Sequence, residues 1–183
     1  MTKNKTVLIL HGYLSSAQDF FIPKLASELS KDANIVCPEL PDANNPKRSD
    51  WVATVLKALN GLVPDMIIGH SLGGTLALIL LEEELLTTKA LFTLGSSHCP
   101  KDEEVLNSML VPPISVMKLS KLPTNYFVVQ SYDDPYTHPE CAALLIKQIG
   151  AMGLFFHNQG HFLEKDLPNK LVEIMRRELL ASD

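Results

Sequence analysis

The sequence predicts an α/β fold: a three-layer α/β/α sandwich around a mostly parallel sheet of about six strands. Three observations carry this reading. Short apolar runs alternate with longer amphipathic ones along the chain, as right-handed β-α-β crossovers require. The short runs are continuously apolar rather than alternating, which fits strands buried on both faces. Residues able to do chemistry recur just after these runs, at the strand ends where open α/β sheets build their sites.

In chain order, Val7–Leu10 reads as a buried strand. Phe20–Leu29 reads as a helix, with Phe21, Leu25 and Leu29 on one face at i, i+4, i+8. Asn34–Cys37 is a second strand, closed by Pro38, and the proline- and asparagine-rich Glu39–Lys47 is a loop. Ser49 or Asp50 can cap a helix from Trp51 to Leu59, which Gly61 and Pro64 end. Met66–Ile68 is a third strand, Leu72–Leu85 a helix rich in Leu and Ala, and Ala90–Leu94 a fourth strand. Residues 98–124 carry four prolines and mixed polarity, and one or two short helices fit there. Tyr126–Gln130 is a fifth strand, Glu140–Ile149 a helix, Gly153–Phe156 a sixth strand, and a last helix runs from Pro168 or Asn169 to Leu180. No repeat or linker divides the chain, so 1–183 is expected to be one domain.

At 183 residues and 46% apolar, the chain is long enough to bury a full core. A net charge of −5 opposes non-specific binding to nucleic acid or to an anionic membrane, because both need a positive surface. The four apolar residues Val7–Leu10 are too few for a signal-peptide core, and the Leu72–Leu81 stretch is far shorter than a membrane span. Cys37, Cys99 and Cys141 form no close-spaced pair and no zinc spacing. Their odd number favours free thiols in a reducing, cytoplasmic compartment.

The strongest motif is Gly69-His70-Ser71-Leu72-Gly73, which lies between an apolar strand and a helix. In G-x-S-x-G a serine occupies a tight strand-to-helix turn, and the glycines remove side chains that would collide. The turn lifts the hydroxyl to a helix N-terminus, where free amides and the helix dipole favour negative charge. A serine hydroxyl needs a base to become a nucleophile, and the base needs a carboxylate to hold its tautomer. The order Ser, Asp, His is supplied by Ser71, then Asp133-Asp134 after strand five, then Gly160-His161 after strand six. His161 is the preferred base, since His11 and His70 belong to turn motifs and His98, His138 and His157 are less well placed. An oxyanion needs two amide donors. One is the amide of Leu72, next after the nucleophile. The other is that of Tyr13, in the His11-Gly12-Tyr13-Leu14 loop after strand one.

These residues, in this order and over most of the chain, resemble the α/β-hydrolase superfamily. The chain looks most like its small serine hydrolases of the retinoblastoma-binding-protein-nine type and their bacterial relatives. Pro41 after strand two, Trp51 in the next helix, Asp133-Asp134 and Gly160-His161-Phe162-Leu163-Glu164 carry the narrower likeness. The resemblance implies a minimal fold without a lid domain, and of the two aspartates it favours Asp134 as the acid. The sequence departs from the superfamily at Asp134-Pro135-Tyr136-Thr137-His138, where D-x-x-V-P is frequent, and at Ser131, where many relatives carry glycine.

The expected function is therefore a carboxylesterase-like serine hydrolase acting on small ester, thioester or activated amide bonds. Catalysis would run through Ser71, His161 and Asp134 and an acyl-enzyme, with no metal and no organic cofactor. The expected partner is a small-molecule acyl substrate, not nucleic acid or membrane, while the sequence leaves the oligomeric state open. The short segment between strands four and five, residues 96–125, leaves room for no large lid. A shallow site lined by Tyr13, Leu14, Leu72, Ser97, His98 and Phe162 is expected, suited to short acyl or small aromatic esters. A thiol nucleophile at Cys99 is disfavoured, since adjacency to His98 in sequence does not make the side chains meet. The rival reading is a binding module on a hydrolase scaffold, because fold does not fix function.

Overall fold

Six strands form one parallel sheet in the order β2-β1-β3-β4-β5-β6 in a computed structural model that describes residues 5–99 and 104–181. The strands are β1 (Thr6–Leu10), β2 (Asn34–Val36), β3 (Met66–His70), β4 (Ala90–Leu94), β5 (Asn125–Ser131) and β6 (Met152–Phe156). Between and after them lie α1 (Ile22–Leu29), α2 (Arg48–Leu59), α3 (Leu72–Glu82), the short α4 (Glu104–Asn107) and α5 (Val116–Leu119), α6 (Pro139–Ile149) and α7 (Asn169–Ala181). A 3-10 turn, Ser108–Leu110, follows α4. The 98–124 region thus holds two short helices, as expected, with a 3-10 turn directly after the first, and 100–103 and the chain ends lie outside the described residues.

Because side chains alternate along a strand, each apolar run feeds both faces of the sheet. Leu8, Leu10, Ile67, Leu91 and Val128 join Trp51 and Val55 of α2, Leu72, Leu76, Ala77, Leu78, Leu80 and Leu81 of α3, and Leu145 of α6 in one core. Val7, Ile9, Ile68, Phe92 and Val129 join Leu25 of α1 and Leu171 and Met175 of α7 in the other. This makes the three layers. Every residue of α3 is buried, which is why its sequence is apolar all round rather than striped. It ends at Glu82, three residues before the apolar pattern does, with Glu83 and the left-handed Glu84 turning the chain. Helix α2 begins at Arg48, ahead of the expected Ser49 or Asp50 cap. The Ser49 hydroxyl bonds the Asp50 side chain instead, and Asn60 closes the helix in the left-handed conformation.

The strand order reverses between β1 and β3, so the loops leaving these neighbouring strands diverge and open a crevice at their carboxyl ends. The His11–Leu14 loop and Ser71 both lie there. Trp51 braces the β2–α2 loop by donating its indole N–H to the Pro41 carbonyl at 2.7 Å. Arg48 ties α2 to the 3-10 segment and α3 through the Met109 and Pro112 carbonyls and Glu83.

One expectation is corrected. Cys99 and Cys141 form a disulfide across 42 residues, with Cα atoms 6.3 Å apart, and only Cys37 carries a free thiol. The pairing of β4 with β5 brings the loop after β4 beside the helix that follows β5, a juxtaposition that cysteine spacing does not reveal. No described helix is long and apolar enough to cross a membrane.

Candidate active site

Ser71 stands between β3 and α3 with φ 52° and ψ −122°, a conformation that costs a non-glycine residue energy and is held by its surroundings. Its amide donates to the Leu94 carbonyl at 2.8 Å, locking the turn to β4. The flanking glycines are needed for close approach: a Cβ on Gly69 would strike the Gly74 backbone, and one on Gly73 the Leu10 and His11 carbonyls. The backbone of β1's loop packs directly on the turn, for a Cβ on Gly12 would come within 2.8 Å of the Ser71 Cβ.

His161 lies 2.9 Å from the Ser71 hydroxyl through Nε2 and 2.8 Å from Asp134 Oδ2 through Nδ1. A carboxylate only accepts, so Nδ1 carries the proton and Nε2 faces the Ser71 O–H as an acceptor. Gly160 and Phe162 on either side of His161 both have positive φ, 50° and 56°, and this double turn swings the imidazole over the sheet end. Phe162 is thereby folded beneath it. At 2% exposure it sits in the α1–α7 core, edge-on to Phe156, and does not line an open pocket as the sequence led us to expect.

Asp134 is buried in a cradle of donors. Oδ1 accepts the amides of Tyr136 (2.8 Å) and Thr137 (3.0 Å), and Oδ2 accepts the Thr137 hydroxyl (2.6 Å) and the Gln130 side-chain amide (3.3 Å). Burial pushes its pKa up, but the bonds from His161 and Thr137 outweigh it and hold the carboxyl below its ordinary value. Asp133 is exposed and does not reach His161. It accepts the Ser131 hydroxyl at 2.5 Å and the Gly160 amide at 3.2 Å, fixing the loop that carries His161. The Ser131 bond is the main cause of its lowered pKa.

Two histidines outside this line hold it up. His11 Nε2 accepts the Leu40 amide at 2.9 Å, so its Nδ1–H donates to the Gly12 carbonyl at 3.0 Å. Burial keeps it neutral by lowering its pKa. In a planar trans peptide the C=O and N–H point opposite ways, so the Tyr13 N–H is turned away from the His11 ring. Leu72 opens α3, and its amide belongs to the first turn, which has no acceptor within the helix. His70 donates from Nε2 to the His161 carbonyl at 2.8 Å, with Phe20 and Phe21 edge-on to its ring. Its buried Nδ1 has no hydrogen-bond partner. Burial, helped by the nearby His161, lowers its pKa to about 4.

The remaining sequence candidates divide. Leu14 is 67% exposed on the β1 loop and Tyr13 is half-buried, both beside the site turn. Ser97 and His98 turn toward α6 instead. The Ser97 hydroxyl accepts the Cys99 amide and lies 3.2 Å from Cys141 Sγ, and His98 Nε2 bonds Gln148 at 2.9 Å. Sequence reasoning missed Tyr136, whose ring stands 5.0 Å from that of His161 while 62% exposed, and also His70, Gln130 and Thr137. The Tyr136-Thr137 position after Asp134 was the available signal, since side chains there must flank the carboxylate.

The comparisons agree with this architecture. A family model described as serine hydrolase matches residues 7–174. Among solved structures, the ydeN gene product of B. subtilis superposes with a TM-score of 0.86 at 21% identity, covering 97% of this chain and 100% of that one. A monoacylglycerol lipase from Paleococcus ferrophilus gives 0.78 at 12% identity, covering 99% and 96%. The meta-cleavage product hydrolase CumD from Pseudomonas fluorescens gives 0.77 at 14%, covering 99% and 92%. No curated protein sequence matches the chain. With an α/β-hydrolase fold over its length and a family model matching most of its residues, the chain belongs to the serine hydrolase family and is a serine hydrolase enzyme.

Proposed function

We propose that the chain hydrolyses small ester, thioester or activated amide bonds by covalent acyl transfer, with Ser71 as nucleophile, His161 as base and acid, and Asp134 as the carboxylate that orients it. The observation that carries this is the unbroken hydrogen-bonded line Ser71–His161–Asp134 at the strand ends. His161 Nε2 takes the hydroxyl proton as Ser71 Oγ bonds the acyl carbon. The oxygen that becomes negative is held by the amides of Leu72 and Tyr13. His161 then gives its proton to the leaving group, and water repeats the sequence to release the acid. Asp134, kept ionised by its donors, holds the Nδ1–H tautomer and stabilises the imidazolium.

The substrate reading rests on the short connection between Leu94 and Asn125, which leaves the site uncovered by an inserted domain. The exposed Tyr136 beside the His161 ring, and the exposed Leu14 just after the Gly12 turn that packs on Ser71, are the apolar surface we assign to a short acyl chain or a small aromatic group. Relatives of this fold include a lipase and a meta-cleavage product hydrolase, so the scaffold itself does not select the substrate. The test is turnover of p-nitrophenyl esters of increasing chain length, with Ser71→Ala alongside. Activity that depends on Ser71 and falls beyond short chains is expected. Turnover that survives the substitution, or that climbs steadily into long chains, overturns the reading.

A further inference from the structure

The cysteine pair lies outside the Ser71 site but is attached to it at both ends. Cys99 lies in the loop that leaves β4 at Gly95, and a Cβ on Gly95 would sit 3.0 Å from His161 Nδ1 and 3.1 Å from Asp134 Oδ2. Cys141 is the third residue of α6, whose preceding loop carries Asp134 and Thr137. The disulfide therefore fastens the two segments that flank the His161–Asp134 pair, with the His98–Gln148 bond as a second link beside it.

Three features mark this bridge as openable. Both cysteines are only partly buried, so a small thiol can reach them. Cys141 lies in the first turn of an eleven-residue helix, where the helix dipole favours a thiolate. Its Sγ is also 3.2 Å from the Ser97 hydroxyl and 3.9 Å from His98 Nδ1, two groups able to hold its charge or its proton. Cys37 has none of this, and burial pushes its thiol up to about 11, so it is an internal control.

We infer that Cys99 and Cys141 form a reversible redox site, opened by small thiols of the glutathione type, which clamps the wall of the Ser71 site to α6. In the opening step the reductant's thiolate bonds Cys99 Sγ. The Cys99–Cys141 bond breaks, and Cys141 leaves with the electron pair as a thiolate at the helix N-terminus. A second reductant thiolate then attacks the reductant sulfur of the mixed disulfide. Cys99 is released as a thiolate and the reductant becomes its own disulfide, so the protein gains two electrons, and takes up a proton from solvent at each thiolate that is then protonated. The glutathione disulfide of an oxidising buffer runs the sequence backwards.

The experiment equilibrates the whole protein in glutathione buffers of graded redox ratio, blocks free thiols with an alkylating agent, and reads labelled peptides by mass. Cys99 and Cys141 are expected to pass together from protected to labelled within the glutathione range, with Cys37 unchanged across it. A pair that stays bridged at every ratio is a fixed structural disulfide, and a pair that never bridges is not a redox couple. Either result overturns the proposal. So does a reduced pair that added zinc shields from alkylation and from reoxidation by glutathione disulfide, which would make the His98, Cys99, Cys141 cluster a metal site.

The effect on turnover rests on the hydrolase reading. Opening the clamp is expected to raise KM about threefold or more with kcat nearly unchanged, since Asp134 and His161 keep their own bonds. The Cys99→Ser, Cys141→Ser double variant is expected to show the higher KM at every ratio, and a KM indifferent to both overturns the coupling. Switching thiols in an enzyme without Ser71-dependent activity would refute the hydrolase reading alone. Fixed thiols in an active enzyme would refute the redox site alone.

Discussion

His70 gives the account a quantitative handle that does not require a substrate. Its ring is wedged beneath His161 against Phe20 and Phe21, and burial with the neighbouring imidazole holds its pKa near 4, against an ordinary 6.5. A folded-state pKa below the unfolded value means that the unfolded chain takes up the proton first as pH falls. The stabilisation is complete above pH 6.5 and is lost between about 6.5 and about 4. A gap of about 2.5 units at ~1.4 kcal/mol per unit is about 3 kcal/mol, of which roughly 2 is lost between pH 7 and 4.5. His70→Gln keeps an N–H able to reach the His161 carbonyl and cannot titrate in this range. Urea unfolding of both proteins at pH 7 and 4.5 should show the parent losing about 2 kcal/mol more than the variant. Equal losses would mean that His70 is charged or solvated in the folded protein and that the packing described beneath His161 is wrong.

Other expectations follow from the site's geometry. Asp134→Asn should lower kcat by about three orders of magnitude or more, by releasing the His161 tautomer. Asp133→Asn should cost only a few-fold, because it bonds the loop and not the ring; steady-state kinetics of the two distinguishes them, and the reverse order would reassign the acid. Gly95→Ala places a Cβ against both His161 and Asp134 at a φ of +56°, so a loss of turnover of about tenfold or more is expected with the folded state retained by circular dichroism. An unaffected kcat would show that the loop can yield there.

Much of this architecture was legible in the sequence because it rests on short-range rules. All six strands and the five long helices follow from apolar runs punctuated by Gly, Pro and Asn, with end errors of up to about three residues, as frayed and capped ends allow. Ser71 and its glycines are readable because the strained turn restricts its neighbours to residues without a Cβ. The pocket wall was not readable in the same way. Whether Phe162 faces solvent or core is decided by positive φ at Gly160 and Phe162 itself, and nothing in a Gly-His-Phe string announces a second left-handed residue. Ser97 and His98 are in the expected place in the chain but turn toward α6, drawn by Cys141 and Gln148 more than forty residues away. The Cys99–Cys141 bridge is of the same kind, a product of strand order rather than of local spacing. His70 and Tyr136 escaped because their roles are contacts with His161, which only the folded chain brings near.

Every step proposed for this site requires Ser71 to be an activated nucleophile. The direct measurement is incubation of the pure protein with a fluorophosphonate probe, read by intact mass and by the labelled peptide, with Ser71→Ala in parallel. One adduct per chain is expected, on Ser71, and none in the variant. A folded parent protein that takes up no probe, or a Ser71→Ala protein that still does, would contradict it.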